Sequence, residues 1–295
     1  MSMRKEGFLL AAAVLLSTAC LAQAQMSPFE ATEDDIGITA GMTCVSSYIW
    51  RGFDMYRENH SSVQPFASFD FYGTGWILDL SWRRAVAGDY ENYEEFDFTV
   101  AYAGNSLWPE TSYTTDWQIG YTYYSHPDNP IRMGRGMPTF DLDYEDLFAS
   151  LSLPNICSVG LVPSYTIAYL WPSESGKRSD NGTAWSAYRA GDGFIHVFGL
   201  DYDWIIIGML PDTPEQIIHC SAALVYNEGM GVSPLPTMAH PDEDWSHVLF
   251  GATTDFDLGN GFSIIPGAWF QKSMDDSVNT SDEYYVSLTG QYRTR

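Results

Sequence analysis

The sequence predicts an all-β protein: a transmembrane antiparallel up-and-down β-barrel of about twelve strands, preceded by an N-terminal signal peptide. Three observations carry this expectation. Segments of roughly ten residues alternate apolar and polar positions through the chain. The connections between these segments are alternately long and short. After the leader no apolar run is long enough for a membrane-crossing helix, whereas strands hide their apolar face in alternation.

The leader comes first in the chain. Arg4 and Lys5 precede an apolar run over residues 8–16, and Ala22-Gln23-Ala24 is a small-x-small site, so cleavage is expected after Ala24. Two other readings are a buried N-terminal helix and a lipoprotein anchored at Cys20. Ala19 suits the lipoprotein, but Ser17 stands where leucine is usual. The expected plan is a signal peptide over 1–24, a short periplasmic segment over 25–40 and the barrel over 41–295.

Composition narrows the function. Fourteen Lys and Arg face 38 Asp and Glu, a formal charge of −24, which excludes a nucleic-acid binder. Removing Arg4, Lys5 and Glu6 with the leader leaves 12 basic and 37 acidic residues, or −25. Ten Trp, 19 Tyr and 16 Phe exclude a disordered chain. The remaining cysteines, Cys44, Cys157 and Cys220, are odd in number and far apart. They imply no disulfide framework and no zinc or thioredoxin-like site.

Strands are expected at 41–51, 63–72, 75–84, 93–104, 113–124, 140–153, 159–171, 194–208, 216–227, 245–257, 261–272 and 282–293. The first is weakly patterned. In the second, Val63, Pro65, Ala67, Phe69 and Phe71 oppose Gln64, Ser68 and Asp70. In the third, Trp76, Leu78, Leu80 and Trp82 oppose Asp79, Ser81 and Arg83. The fourth sets Phe96, Phe98, Val100 and Tyr102 against Glu95, Asp97 and Thr99. The fifth sets Tyr113, Trp117, Ile119, Tyr121 and Tyr123 against Asp116, Gln118 and Thr122. The sixth changes parity between Tyr144 and Leu147, which predicts a bulge near Glu145-Asp146. In the last, Tyr284, Val286, Leu288 and Tyr292 oppose Ser287, Thr289, Gln291 and Arg293.

The long connections are 52–62, 85–92, 125–139, 172–193, 228–244 and 273–281. The short ones include the glycine turns at 72–75 and 257–261, and turns near Asn155 and Pro211; 104–112 is the longest of this set. An outer-membrane barrel separates exterior loops from periplasmic turns in this way, which places both termini in the periplasm. A soluble β-sandwich or barrel would share the strand alternation, but it does not account for the loop lengths. Aromatic residues near strand ends suit interfacial girdles: Tyr48, Trp50, Trp76, Trp82, Tyr102, Tyr121, Tyr123, Tyr169, Trp171, Tyr202, Trp204 and Tyr226.

The polar faces then line the lumen. The expected pore-lining residues are Asp70, Asp79, Arg83, Glu95, Asp97, Asp116, Gln118, Asp143, Asp201, Asp203, Asp255, Asp257, Gln291 and Arg293, with His219 and Gln271 also inward. Carboxylates outnumber cations, so an open passage should favour cations modestly. The other reading is a filled barrel in which these carboxylates bind the few arginines, giving a non-conducting structural or adhesive protein. Acidic clusters at Asp89, Glu91, Glu94 and Glu95, at Asp242, Glu243 and Asp244, and at Asp275, Asp276 and Asp282 lack calcium-loop spacing and suit a solvated exterior.

A lipid-modifying barrel enzyme would need Ser and His together near one membrane face. His60, His126, His196, His219, His240 and His247 form no such set, and Ser246 beside His247 should point to the opposite side of its strand. With no phosphate loop, HExxH or G-x-S-x-G motif, the chain is read as a non-enzyme without cofactor or metal.

One region goes beyond fold class. It runs Ser46-Ser47-Tyr48-Ile49-Trp50-Arg51-Gly52, then Val63-Gln64-Pro65-Phe66-Ala67-Ser68-Phe69, then Gly75-Trp76-Ile77 and Ser81-Trp82. It resembles the opening of TorF-like porins of Gram-negative outer membranes, which are related to the MltA-interacting and OmpV-type barrels. The resemblance covers residues 43–84. It implies an outer-membrane barrel for passive transport of small solutes, with membrane lipid, periplasmic chaperones and the barrel assembly machinery as partners. It carries over no binding residue. Arg51 is either a lumen cation paired with a carboxylate or an interfacial charge above Trp50. The chain departs from many outer-membrane barrels in ending Tyr292-Arg293-Thr294-Arg295 rather than on an aromatic residue.

Overall fold

The computed structural model describes residues 36–56, 60–87, 94–127, 143–173, 192–208, 214–231 and 241–294. The wall begins with β1 (Ile36–Val45). Next come β2 (Ile49–Trp50) and β3 (Phe53–Asp54), a small hairpin outside the main sheet. The wall continues through β4 (Ser62–Phe71), β5 (Trp76–Ala85), β6 (Glu95–Ala103), β7 (Asp116–Ser125), β8 (Tyr144–Ser152) and β9 (Val162–Pro172). It is completed by β10 (Gly193–Ile207), β11 (Glu215–Glu228), β12 (Glu243–Thr254), β13 (Phe256–Gly259), β14 (Phe262–Ser273) and β15 (Glu283–Arg293).

Each wall strand pairs antiparallel with its neighbours in sequence, β1 pairs with β15, and β12 pairs with β14. The sheet is therefore closed. β13 prolongs β12 past Asp255, so the wall has twelve staves, as the alternation predicts. Closure matters because a lipid-exposed edge would leave backbone N–H and C=O groups without partners.

Side-chain parity separates the two faces. On β5, Leu78 and Leu80 point out while Asp79, Ser81 and Arg83 point in; on β6, Phe98 and Val100 are outside while Glu95 and Asp97 are buried inside. Outward rings gather at two levels. Near the short turns, Trp76 lies 5.2 Å from Tyr102, Tyr102 lies 5.9 Å from Trp117, and Phe262 lies 4.8 Å from Tyr292. Near the long loops, Tyr169 meets Phe194 at 4.7 Å, Tyr226 meets Trp245 at 5.4 Å and Phe270 meets Tyr284 at 4.5 Å. An apolar outer band between two aromatic girdles is the arrangement of a transmembrane barrel.

On the inner face Thr43 and Thr289 share a hydrogen bond of 2.8 Å across adjacent strands, and Thr99 and Thr122 one of 3.0 Å. Larger inward rings lie flat on glycines of the neighbouring strand, pairing Gly41 with Phe66, Gly120 with Phe148 and Gly251 with Trp269. A Cβ on Gly120 would sit 2.3 Å from the Phe148 ring, so only glycine admits it.

Three expectations are corrected. β1 starts at Ile36 and ends at Val45, so residues 36–40 belong to the wall and not to the N-terminal segment. Just past its end the Ser46 N–H still donates to the Val286 carbonyl at 2.9 Å, while the Val286 N–H goes to the Ser46 hydroxyl at 3.0 Å. Tyr48 and Trp50, expected in a girdle, are instead buried in the lumen. No bulge interrupts β8 at Glu145-Asp146; its pairing with β7 and β9 is continuous, and Tyr144 faces inward. Tyr144 can do so because Tyr124 stacks on it at 4.4 Å and Trp50 packs at 5.5 Å. The leader, Asp89, Glu91 and His240 lie outside the described residues.

Candidate functional site: the lumen and the hairpin across it

The segment between β1 and β4 turns inward. Trp50 pairs with Phe53 across a two-residue turn, Arg51-Gly52, in which both residues have positive φ, +48° and +96°. Such a turn needs glycine or a short polar residue; Arg51 adopts it because its side chain is anchored on both sides. Its guanidinium forms a buried ion pair with Asp146 of β8, stacks over the Trp50 ring at 4.5 Å and reaches the Met230 sulfur at 3.9 Å. Tyr124 donates to the same Asp146 carboxylate at 2.9 Å.

The hairpin touches the opposite wall too. The Gly52 carbonyl accepts from Gln271 of β14 at 2.9 Å and from Asn279 at 3.2 Å. A Cβ at Gly52 would lie 2.6 Å from the His247 ring of β12 and 2.9 Å from Val278. Trp50 is fully buried. The hairpin therefore spans the lumen from β7–β8 to β12–β14 at the long-loop end.

A second cluster holds its base. Arg83 of β5 pairs with Glu95 at 2.7 Å and also with Asp97, both on β6. Tyr48 donates to Glu95 at 2.7 Å, and His126 lies 3.2 Å from the other Glu95 oxygen. Ser81 donates to Asp97 at 3.2 Å. Arg83, Glu95 and Asp97 are all buried. Charges so far from water are tolerated only when paired and hydrogen-bonded.

The remaining expected lumen residues fall into a different environment. Asp79 lies mid-wall beside Ser68. Asp70, Asp116, Asp201, Asp203, Asp255 and Arg293 are on inner rows near the short turns, with Gln118 and Gln291 just above. Asp70 accepts from the Gly73 N–H at 3.3 Å, Ser106 donates to Asp116, and Asp203 pairs with His219 at 2.6 Å. Asp257 serves the turn instead, accepting from the Gly259 N–H at 2.7 Å. Asp143 lies just outside β8 on the outward parity of Glu145, accepting from the Tyr123 hydroxyl and the His126 N–H, each at 2.7 Å.

Two lumen residues escape the sequence reading. Asp146 is assigned to neither face because of the expected bulge. Ser246 is expected to point away from His247, yet a bulge does occur between β11 and β12: Val225 pairs with His247 and Tyr226 with Trp245, leaving Ser246 as the extra residue. Both side chains turn inward, and the Ser246 hydroxyl lies 2.5 Å from the His247 ring nitrogen. The readable signal is that Trp245 and Val248, three residues apart, share the outer face. Among the described residues no group of three or more His, Cys, Asp or Glu could hold a metal ion.

No protein-family model matches the sequence, and no curated protein sequence does. Solved barrels are similar in general shape. The KdgM porin in complex with disordered oligogalacturonate has a TM-score of 0.47 and 10% identity over 88% of this chain and 99% of its own. The NanC porin has a TM-score of 0.46 and 8% identity over 88% and 100%. The translocator domain of the autotransporter NalP from Neisseria meningitidis has a TM-score of 0.41 and 10% identity over 96% and 100%. Closure of the present barrel rests on its own strand pairings.

Proposed function

We propose that the chain is a porin-like outer-membrane barrel that lets small solutes pass passively and prefers cations. Its long loops face the exterior and both termini the periplasm. The observation that carries this reading is the division of the wall: an apolar outer face, and an inner face on which Asp70, Asp79, Asp116, Asp201 and Asp255 outnumber Arg293 and His219. A narrow passage so lined concentrates cations and repels anions. The likeness of residues 43–84 to TorF-like porins points the same way, and lipid, periplasmic chaperones and the barrel assembly machinery follow as partners. Reversal potentials under a potassium chloride gradient test the preference. The expected sign favours cations and moves toward zero in Asp201→Asn/Asp203→Asn; a sign favouring anions rejects it.

A second reading, a non-conducting structural or adhesive barrel, is favoured by the hairpin across the lumen. It predicts no conductance from the wild-type protein with the hairpin in place.

A further inference from the structure

The short-turn end carries an exposed strand edge that the lumen does not use. β10 pairs with β11 as far as Ile207, opposite Glu215, but with β9 only as far as Asp201, opposite Val162. Residues 202–207 thus project past β9 with a partner on one side. The β8–β9 turn beside them closes on itself: Ile156 N–H donates to the Leu153 carbonyl and Gly160 N–H to the Cys157 carbonyl. Alternation leaves about three residues of this edge with N–H and C=O groups turned to the open side.

The edge is also apolar on both faces. Trp204 points outward, as lipid contact would require, and is 55% exposed. Ile205 and Ile207, on the inward row that elsewhere is polar, are 59% and 89% exposed. Lipid cannot cover that inward row. Val159 of the neighbouring turn adds a further exposed apolar side chain. Proteins guard such edges with lysine, proline or bulges; residues 202–207 contain neither residue, and the β10–β11 register is unbroken. The single charge is Asp203, held by His219.

From this juxtaposition we infer that the open edge of β10 is a strand-addition site for an extended, basic segment of a partner protein at the periplasmic end. Backbone ladder bonds would supply affinity, Ile205 and Ile207 would contact alternate apolar side chains, and the exposed carboxylates Asp203 and Glu215 would favour lysine or arginine. Charge argues against the chain's own residues 25–35, which carry Glu30, Glu33, Asp34 and Asp35 and no basic residue. Only the periplasmic location rests on the proposed function; the edge itself does not.

The test uses the full-length barrel in detergent and a labelled nine-residue peptide of alternating lysine and valine, followed by fluorescence anisotropy. Two peptides serve as controls: a glutamate–valine counterpart, and the lysine peptide N-methylated at alternate residues, which keeps its charge but cannot donate along a ladder. Saturable binding is expected for the unmethylated lysine peptide. It should weaken at least tenfold on N-methylation and in Ile205→Ser/Ile207→Ser, and remain unchanged in Leu258→Ser, a substitution on another hairpin at the same end. Retained heat-modifiable gel migration confirms that the variants are folded. The assignment is overturned if the lysine peptide does not bind, if the N-methylated or glutamate peptide binds equally, or if the isoleucine variant binds as the wild type does. A concentration-dependent dimer abolished by the same isoleucine substitutions would overturn it in favour of self-pairing.

Discussion

The two ends of the lumen use the same side chains for opposite purposes. At the long-loop end, Arg51 and Arg83 are sealed from water with Asp146, Glu95 and Asp97, and tyrosines 48 and 124 donate to Glu95 and Asp146. At the short-turn end, Asp203 and His219 form a pair with Asp203 more than half exposed, and Asp70 caps a turn. The strands themselves are alike at both ends. The difference comes from the hairpin, which seals one cluster fully, whereas at the other end Asp203 is exposed and Asp70, Asp116, Asp201, Asp255 and Arg293 are only partly buried. An inward carboxylate is therefore a structural clamp or a field-setting charge according to what stands in front of it.

That contrast breaks first at the arginines. Arg83→Ala strands two buried carboxylates and should cost about 3–5 kcal/mol. Arg293→Ala, at the partly buried short-turn end where it neighbours the single carboxylate Asp255, should cost less, about 1–2 kcal/mol. Urea unfolding of vesicle-inserted protein measures both, and equal losses would abolish the distinction between the ends.

Gly52→Val attacks the hairpin rather than the wall. The side chain would collide with His247 and Val278 in a backbone conformation that valine rarely adopts. The expected cost is about 1–3 kcal/mol, confined to docking of the hairpin. Fluorescence of the variant should report a more exposed Trp50, while heat-modifiable migration persists. An unchanged spectrum would place the turn elsewhere.

The smallest effect is at the rim. Lys272 donates to Asp282 at 2.9 Å, and this bond holds the Asp282 carboxyl below the usual aspartate range. Because the folded pKa is depressed, the contribution of the pair is present above the unfolded pKa and fades as pH falls through the folded one. A carboxyl titration followed by NMR should show that low midpoint, and Lys272→Met should raise it. A midpoint indifferent to Lys272 would mean that the contact is not held in solution.

The wall was legible in the sequence because a strand with lipid on one side and a polar lumen on the other must alternate, as 62–71, 76–85 and 95–103 do. The Asn260-Gly261 turn was legible for a related reason: both residues need positive φ, and they adopt +56° and +85°. The hairpin was not. Tyr48 and Trp50 keep the parity of a strand, so alternation carries β1 onward through them, and only Arg51-Gly52 hints at the reversal. Nor does the sequence place Tyr144, because an inward aromatic there is reasonable only once Trp50 is known to cover it. For Arg51 the sequence leaves a lumen cation and an interfacial charge both open, since its partner Asp146 falls where a bulge is expected that does not form.

Single-channel recording in planar bilayers, comparing the wild type with a variant whose residues 47–55 are replaced by a short glycine–serine link, bears most directly on the hairpin as the obstruction of this barrel. A small wild-type conductance that rises several-fold in the variant, with current still carried mainly by cations, is the predicted result. Equal conductance in the two proteins would contradict it.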